Sequence, residues 1–183
     1  MQQEEIYISV DVECSGRNRP GYYSMLSVGA CDVYDIANKF YVEIRPLNDN
    51  FEPESLAVCG LDMEQLKKFG TPPEKAMKKF AAWVKEVSGD KKPIFVAFFA
   101  PFDHMFVDWY FATFLGKNPF ANAVLCAKAY YMGLTGKMWQ ESSKSQLIFN
   151  TDYPHTHNAL DDAIEQAELF RQMLEYQKLI RRP

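Results

Sequence analysis

The sequence predicts an α/β fold, with three leading strands followed by helices and strands in alternation and a long closing helix. Three observations carry that expectation. Residues 6–12 (Ile-Tyr-Ile-Ser-Val-Asp-Val) alternate with the period of a strand. Ala76, Phe80, Trp83, Val84 and Val87, and later Ile164, Ala167, Phe170 and Leu174, recur at helical spacing. Pro93 to Phe99 is a nearly unbroken apolar run, as in a strand buried on both faces. With 183 residues, 48% hydrophobic and 15% aromatic, the chain suits one domain spanning 1–183 and is not a disordered polymer.

Taken in order, Ile6, Ile8, Val10 and Val12 face one way on the first strand, and Tyr7, Ser9, Asp11 and Glu13 the other. Residues 14–21, rich in Gly, Arg, Asn and Pro, are loop chemistry. Met25–Tyr34 and Lys39–Arg45 read as strands joined by a turn at Asp35-Ile36-Ala37-Asn38. Asp62–Phe69 reads as a short helix. Thr71-Pro72-Pro73-Glu74 reads as the capped start of a longer one, ended by Gly89-Asp90. After the apolar strand, Pro101 opens a helix with Phe106, Val107, Tyr110, Phe111 and Phe114 inward. Residues 122–129 predict a fifth strand running into a helix, 132–156 a mostly irregular stretch, and Asn158 the cap of the closing helix.

Twenty Lys and Arg against twenty-four Asp and Glu give a formal charge of −4, which argues against a broad basic surface for long duplexes. The four cysteines, Cys14, Cys31, Cys59 and Cys126, form no C-x-x-C pair and read as reduced thiols. The acidic start, Met-Gln-Gln-Glu-Glu, does not resemble a basic leader, and no apolar run approaches a membrane span. A cytoplasmic protein without a membrane partner is expected.

Chemistry concentrates at four places: Asp11-x-Glu13, Asp103, His157 and Asp162. Taken singly, Asp103, Asp161 and Asp162 could simply complement helix dipoles, and Asp62-Met63-Glu64 has the same reading. Asp11 and Glu13 resist it. Two acids on one face of a central strand repel and lose hydration unless a cation neutralises them. Mg²⁺ or Mn²⁺ suits such oxygen ligands, and Asp103 can converge on the same strand edge.

The segments Val10-Asp11-Val12-Glu13-Cys14-Ser15-Gly16, Ala97-Phe98-Phe99-Ala100-Pro101-Phe102-Asp103 and His157-Asn158-Ala159-Leu160-Asp161-Asp162-Ala163 resemble the three motifs of the DEDDh (DnaQ-like, RNase T-like) exonucleases. Val28-Gly29-Ala30 and Cys59-Gly60-Leu61 fit the same pattern. The resemblance implies a ribonuclease H-like fold, a central five-stranded mixed sheet flanked by helices. It implies hydrolysis of nucleotides from the 3′ end of single-stranded RNA or DNA. It assigns Asp11, Glu13, Asp103 and Asp162 to two Mg²⁺ or Mn²⁺ ions and His157 to the general base. By the same analogy Ser15, Met25, Leu26 and Phe102 would meet substrate, Met25 and Leu26 as a wedge and Phe102 by stacking. Where the family commonly has a polar pair, this chain has Phe98 and Phe99.

His155 competes with His157 for the base role, but only His157 has the H-x4-D spacing. His104 reads as a packing or surface residue, Cys14 as a filler, and Arg17 and Arg19 as loop cations able to meet phosphates. A second copy of the chain is a candidate partner. Two other classes remain open from the residues: a nucleic-acid-binding scaffold with weak turnover, and a phosphohydrolase of small nucleotides.

Overall fold

The computed structural model describes residues 4–180, so the first three residues of the acidic start lie outside the described residues. Strands β1 (Glu5–Cys14), β2 (Met25–Asp32) and β3 (Lys39–Glu43) lead the chain. Helices α1 (Pro53–Cys59), α2 (Met63–Phe69) and α3 (Pro73–Ser88) follow, then β4 (Lys92–Ala97), α4 (Ala100–Leu115), β5 (Val124–Cys126) and α5 (Ala127–Thr135). Two 3₁₀ turns, Trp139–Glu141 and Lys144–Gln146, precede α6 (Ala159–Ile180). The sheet order is β3-β2-β1-β4-β5. β2 runs antiparallel to β1 and β3, while β4 and β5 run parallel to β1. This is the expected mixed sheet.

β1 lies at the centre because both its faces can be covered. Ile8, Val10 and Val12 pack into a cluster with Phe80 of α3 and Phe106 and Phe111 of α4. On the opposite face Tyr7 meets Phe170 of α6 edge to face, with ring centroids 5.5 Å apart. Ser9 is as fully buried as its apolar neighbours. Only beyond Val10 does the α6 side open, and there Asp11 and Glu13 are half-buried.

The close approach of α6 depends on Gly29, which pairs with Asp11 across β1 and β2. A Cβ at that position would lie 2.3 Å from the Ala159 carbonyl and the Leu160 nitrogen. Absence of a side chain there therefore lets the first turn of α6 rest directly on the sheet.

Several local expectations are corrected. Thr71 is not a helix cap: its N–H donates to the Glu43 carbonyl and its own carbonyl accepts from Arg45 N–H, both at 2.9 Å. Thr71 is thus spent extending the edge of β3, and Pro72 stands at the cap position with no side-chain bond. β4 stops at Ala97 rather than Phe99, because Phe98 N–H is taken by the Gln166 side chain at 2.6 Å. β2 and β3 each end two residues early, at Asp32 and Glu43. Helix α1 has no counterpart in the sequence reading; it is only seven residues long, and Leu56 and Cys59 are its partly buried contacts with the cluster of Leu26, Met63 and Leu66. Asp62, by contrast, caps α2 as read, accepting from Glu64 and Gln65 N–H. Among the described residues no helix is long and apolar enough to cross a membrane.

Candidate active site

Three elements bring acids to one end of the sheet. β1 supplies Asp11 and Glu13. The first turn of α4 supplies Asp103, whose Oδ1 accepts from Val12 N–H at 3.3 Å. α6 supplies Asp162, almost fully buried one turn inside the Asn158 cap. Asn158 Oδ1 accepts from Leu160 N–H at 3.0 Å, which fixes where the helix starts.

The segment before that cap is bent around Asp162. Thr156 N–H donates to its Oδ1 at 2.9 Å and His157 N–H to its Oδ2 at 3.2 Å. His157 takes φ 57°, in the left-handed region that a β-carbon disfavours, so the reversal is held by its surroundings. His155 Nδ1 lies 2.9 Å from Asp162 Oδ2 and 3.1 Å from Glu165 Oε2. The two imidazoles pack edge to face, with centroids 4.3 Å apart.

Oxygens of Asp11, Glu13 and Asp162 lie within 4.8 Å of one another, as do nitrogens of His155 and His157 with an Asp162 oxygen. All of these, with Asp103, Lys144, Gln166, Phe98, Phe99 and Phe102, line one cavity of about 240 Å³. A second cavity of about 330 Å³ adjoins it, sharing Val12, Glu13, Phe99 and Phe102 and continuing to Arg17, Asn18, Ser55 and Val58.

The electrostatics reflect crowding of like charge. Burial, then the neighbouring Asp103 and Asp162, push the Asp11 carboxyl well above the usual range. Burial, then Asp11 and Asp162, raise Glu13 to about 9. Burial raises Asp103 to about 7, against the lowering effect of the Val12 N–H. Carboxyls crowded together and partly dry favour a neutralising cation. The donors are hard oxygens from separate elements, converging and partly dry, so the residues fit a divalent cation of the Mg²⁺ or Mn²⁺ kind.

A family model for exonucleases of the RNase T type matches residues 8–170. The chain belongs to the DEDDh exonuclease family. It is 40% identical over 171 residues to the 3′-5′ DNA exonuclease Cap18 of Escherichia coli, covering 92% of this chain and 91% of that one. Its fold is that of the nuclease domain of 3′hExo, a DEDDh family member bound to rAMP. The TM-score there is 0.75 at 16% identity, over 93% of this chain and 92% of that one. Exonuclease I of E. coli in complex with an oligonucleotide aligns with TM-score 0.68 at 13% identity, over 97% of this chain and 42% of that one. The sheet and its helices are ribonuclease H-like.

In this exonuclease the side chains of Asp11, Glu13, Asp103, Asp162, His157 and Phe102 meet at one cleft. Ser15, Met25 and Leu26 do not reach it. Ser15 is fully buried, donating to the Asn50 carbonyl at 2.8 Å and accepting from Ser24 N–H. Met25 sits opposite Cys14 in the β1–β2 register, within the core beneath α4. Leu26 packs on Met63 and Leu66 of α2. The wedge expected of Met25 and Leu26 is therefore corrected: both are fully buried, Met25 beneath α4 and Leu26, skipped by the β1–β2 register, beneath α2. Arg17 lines the adjoining cavity, whereas the Arg19 guanidinium lies 3.9 Å over the Tyr22 ring. His104 is a packing residue, edge-on to Phe95.

Three residues at the cleft escaped the sequence reading. Gln166 donates to Asp11 Oδ1 at 2.5 Å while its carbonyl oxygen accepts from Phe98 N–H, tying α6 to β1 and β4. Its signal was available: it stands one turn after Asp162, on the same helix face. Lys144 is held by Glu165 at 2.5 Å and faces the acids, opposing the upward shift of Asp11 and Asp103. Lys144 comes from the aperiodic stretch, where no pattern marks it. Glu165 reads as helix surface in sequence, yet is buried between Lys144 and His155.

Proposed function

We propose that this exonuclease removes nucleotides from the 3′ ends of single-stranded nucleic acid in a metal-dependent, two-ion hydrolysis with His157 as general base. The observation that carries the reading is the meeting of four carboxylates from β1, α4 and α6 with two imidazoles in one cleft. The 40% identity to a DNA exonuclease supports DNA as the substrate.

Asp11, Glu13, Asp103 and Asp162 would hold the ions, which supply charge neutralisation at the phosphate and lower the pKa of water. The chain's own residues do the rest. Gln166 keeps the Asp11 carboxylate turned towards the cleft. His157 is positioned to take a proton from the attacking water, its backbone fixed by the N–H bond to Asp162. His155 is engaged with Asp162 and Glu165, which supports a positioning role for it. Lys144, oriented by Glu165, adds a positive charge facing the phosphate. The adjoining cavity, with Arg17 and Phe102, offers room for the terminal nucleoside.

The test is a 5′-labelled single strand and a free nucleoside triphosphate offered in parallel with Mg²⁺ or Mn²⁺. A ladder shortening from the 3′ end, with the triphosphate untouched, is expected. Intact strands with triphosphate hydrolysis would instead mark a small-nucleotide phosphohydrolase, and binding without cleavage a scaffold.

A further inference from the structure

Large apolar side chains at a surface mark a contact site when they gather, and beside the cleft they do. Phe99 is 46% exposed, Trp139 47% and Met138 62%. The Phe99 and Trp139 rings meet edge to face with centroids 5.8 Å apart. Phe99 also lines both cavities of the cleft, so the aromatic surface is continuous with the acids.

Positive charge is interleaved with these rings although the chain is net acidic. Lys128 Nζ lies 4.1 Å over Trp139, and Lys144 Nζ 5.7 Å over the half-buried Phe98. The surface is also braced. Lys128 N–H donates to the Phe98 carbonyl at 3.1 Å, joining the start of α5 to the turn that carries Phe99. Met138 N–H donates to Glu141 at 2.9 Å and Ser142 Oγ to the Met138 carbonyl at 2.8 Å, fixing the 3₁₀ turn that presents Trp139.

Flat rings alternating with cations, rigidly held at the mouth of a phosphodiester-cleaving site, match a single strand, whose bases stack and whose phosphates need countercharge. We propose that Phe99 and Trp139, with Lys128, form a stacking platform for the bases just upstream of the scissile linkage. The inference rests on the exonuclease reading for the direction of the strand, while the surface itself is tested by binding alone. Lys128 covers part of the indole in the free protein. On binding it moves to the phosphate that follows the stacked base.

The experiment measures fluorescence anisotropy of a labelled oligothymidylate with phosphorothioate linkages, in Mg²⁺, against wild type, Trp139→Ala and Trp139→Phe. Loss of one stacked base is expected to raise Kd roughly 5- to 150-fold in Trp139→Ala. Trp139→Phe, which keeps a ring, is expected to stay close to wild type. Strand binding should quench wild-type tryptophan fluorescence and leave that of Trp139→Phe unchanged, since Trp83 and Trp109 stand on α3 and α4. A second reading uses kcat/KM for the unmodified strand relative to that for the p-nitrophenyl ester of thymidine 5′-monophosphate, which carries no upstream nucleobase or phosphate. That ratio should fall at least fivefold in Trp139→Ala. Equal Kd values for wild type and both variants, or an unchanged ratio, overturn the platform. Failure of wild type to cleave either substrate overturns the exonuclease reading, and the Kd comparison then still decides the platform.

Discussion

Replacing Gly29 with alanine should damage catalysis more than stability, because the residue sits under the helix start that aims Asp162 and His157. The new Cβ would lie 2.3 Å from backbone atoms of Ala159 and Leu160, against the 3.4 Å at which ordinary contact begins. Backbone cannot swing aside as a side chain can, so the start of α6 must retreat by about 1 Å. Overpacking of this kind costs about 1–3 kcal/mol. At this chain length that lowers Tm by about 2–12 °C. A displacement of about 1 Å at the reacting groups costs roughly 10²-fold in rate, so kcat should fall about a hundredfold at temperatures where the variant is fully folded. Circular dichroism melts and exonuclease rates on a labelled single strand measure the two effects. Gly133→Ala, on α5 with nothing within 4 Å of the added carbon, is the control: kcat should be unchanged and Tm should rise by about 1–4 °C, since alanine is the better helix former. A Gly29→Ala protein with wild-type Tm and kcat within about twofold of wild type would refute the argument that this contact positions the site.

Three further outcomes follow from the cleft. Without metal, Asp103 and Glu13 hold protons up to about pH 7 and about pH 9 when folded, whereas the unfolded chain releases them near pH 4. In that window the native state binds more protons, so stability must fall as pH rises. Tm in EDTA should drop on the order of 5–10 °C between pH 5 and pH 9, and Mg²⁺ should remove most of the drop; a Tm that rises with pH in EDTA contradicts the site. Asp162→Asn should abolish nearly all strand cleavage yet fold; it relieves repulsion with Asp11 but turns an amide donor onto the His157 N–H, so Tm in EDTA should stay within about 5 °C of wild type. His157→Ala should depress kcat by about 10²–10⁴ with little change in substrate affinity. A larger kcat loss in His155→Ala than in His157→Ala would reverse their roles.

Much of this was legible because the decisive signals are local. The Ile6–Val12 alternation reveals a central strand, and acids at its far end have no packing purpose there. The Asn158 cap and the Ile164, Ala167, Phe170, Leu174 stripe fix the phase of α6, so Asp162 must face the sheet. What escaped lacks such local signals. Helix α1 is too short for a helical period to show, and only Leu56 and Cys59 pack inward, in part. Thr71 has the chemistry of a cap, but the edge of β3 claims its backbone first. Phe98 and Phe99 look like the end of a buried strand; a hydrogen bond from distant Gln166 ends the strand early and leaves Phe99 at the surface. Met25 and Leu26 follow the family in sequence, but helices α4 and α2 bury them. Lys144 reaches the cleft from a stretch without period, placed by its ion pair with Glu165.

A divalent-cation site formed jointly by Asp11, Glu13, Asp103 and Asp162 is the central claim. Calorimetric titration of Mn²⁺ into the wild-type protein at neutral pH, repeated with Asp162→Asn, tests that claim most directly. Saturable binding accompanied by proton release is expected for the wild type, because the ions displace protons held by Asp11 and Glu13. Asp162→Asn should bind at least tenfold more weakly, in line with loss of one charged ligand. Mn²⁺ binding of unchanged affinity in Asp162→Asn, or none in the wild type, would contradict it.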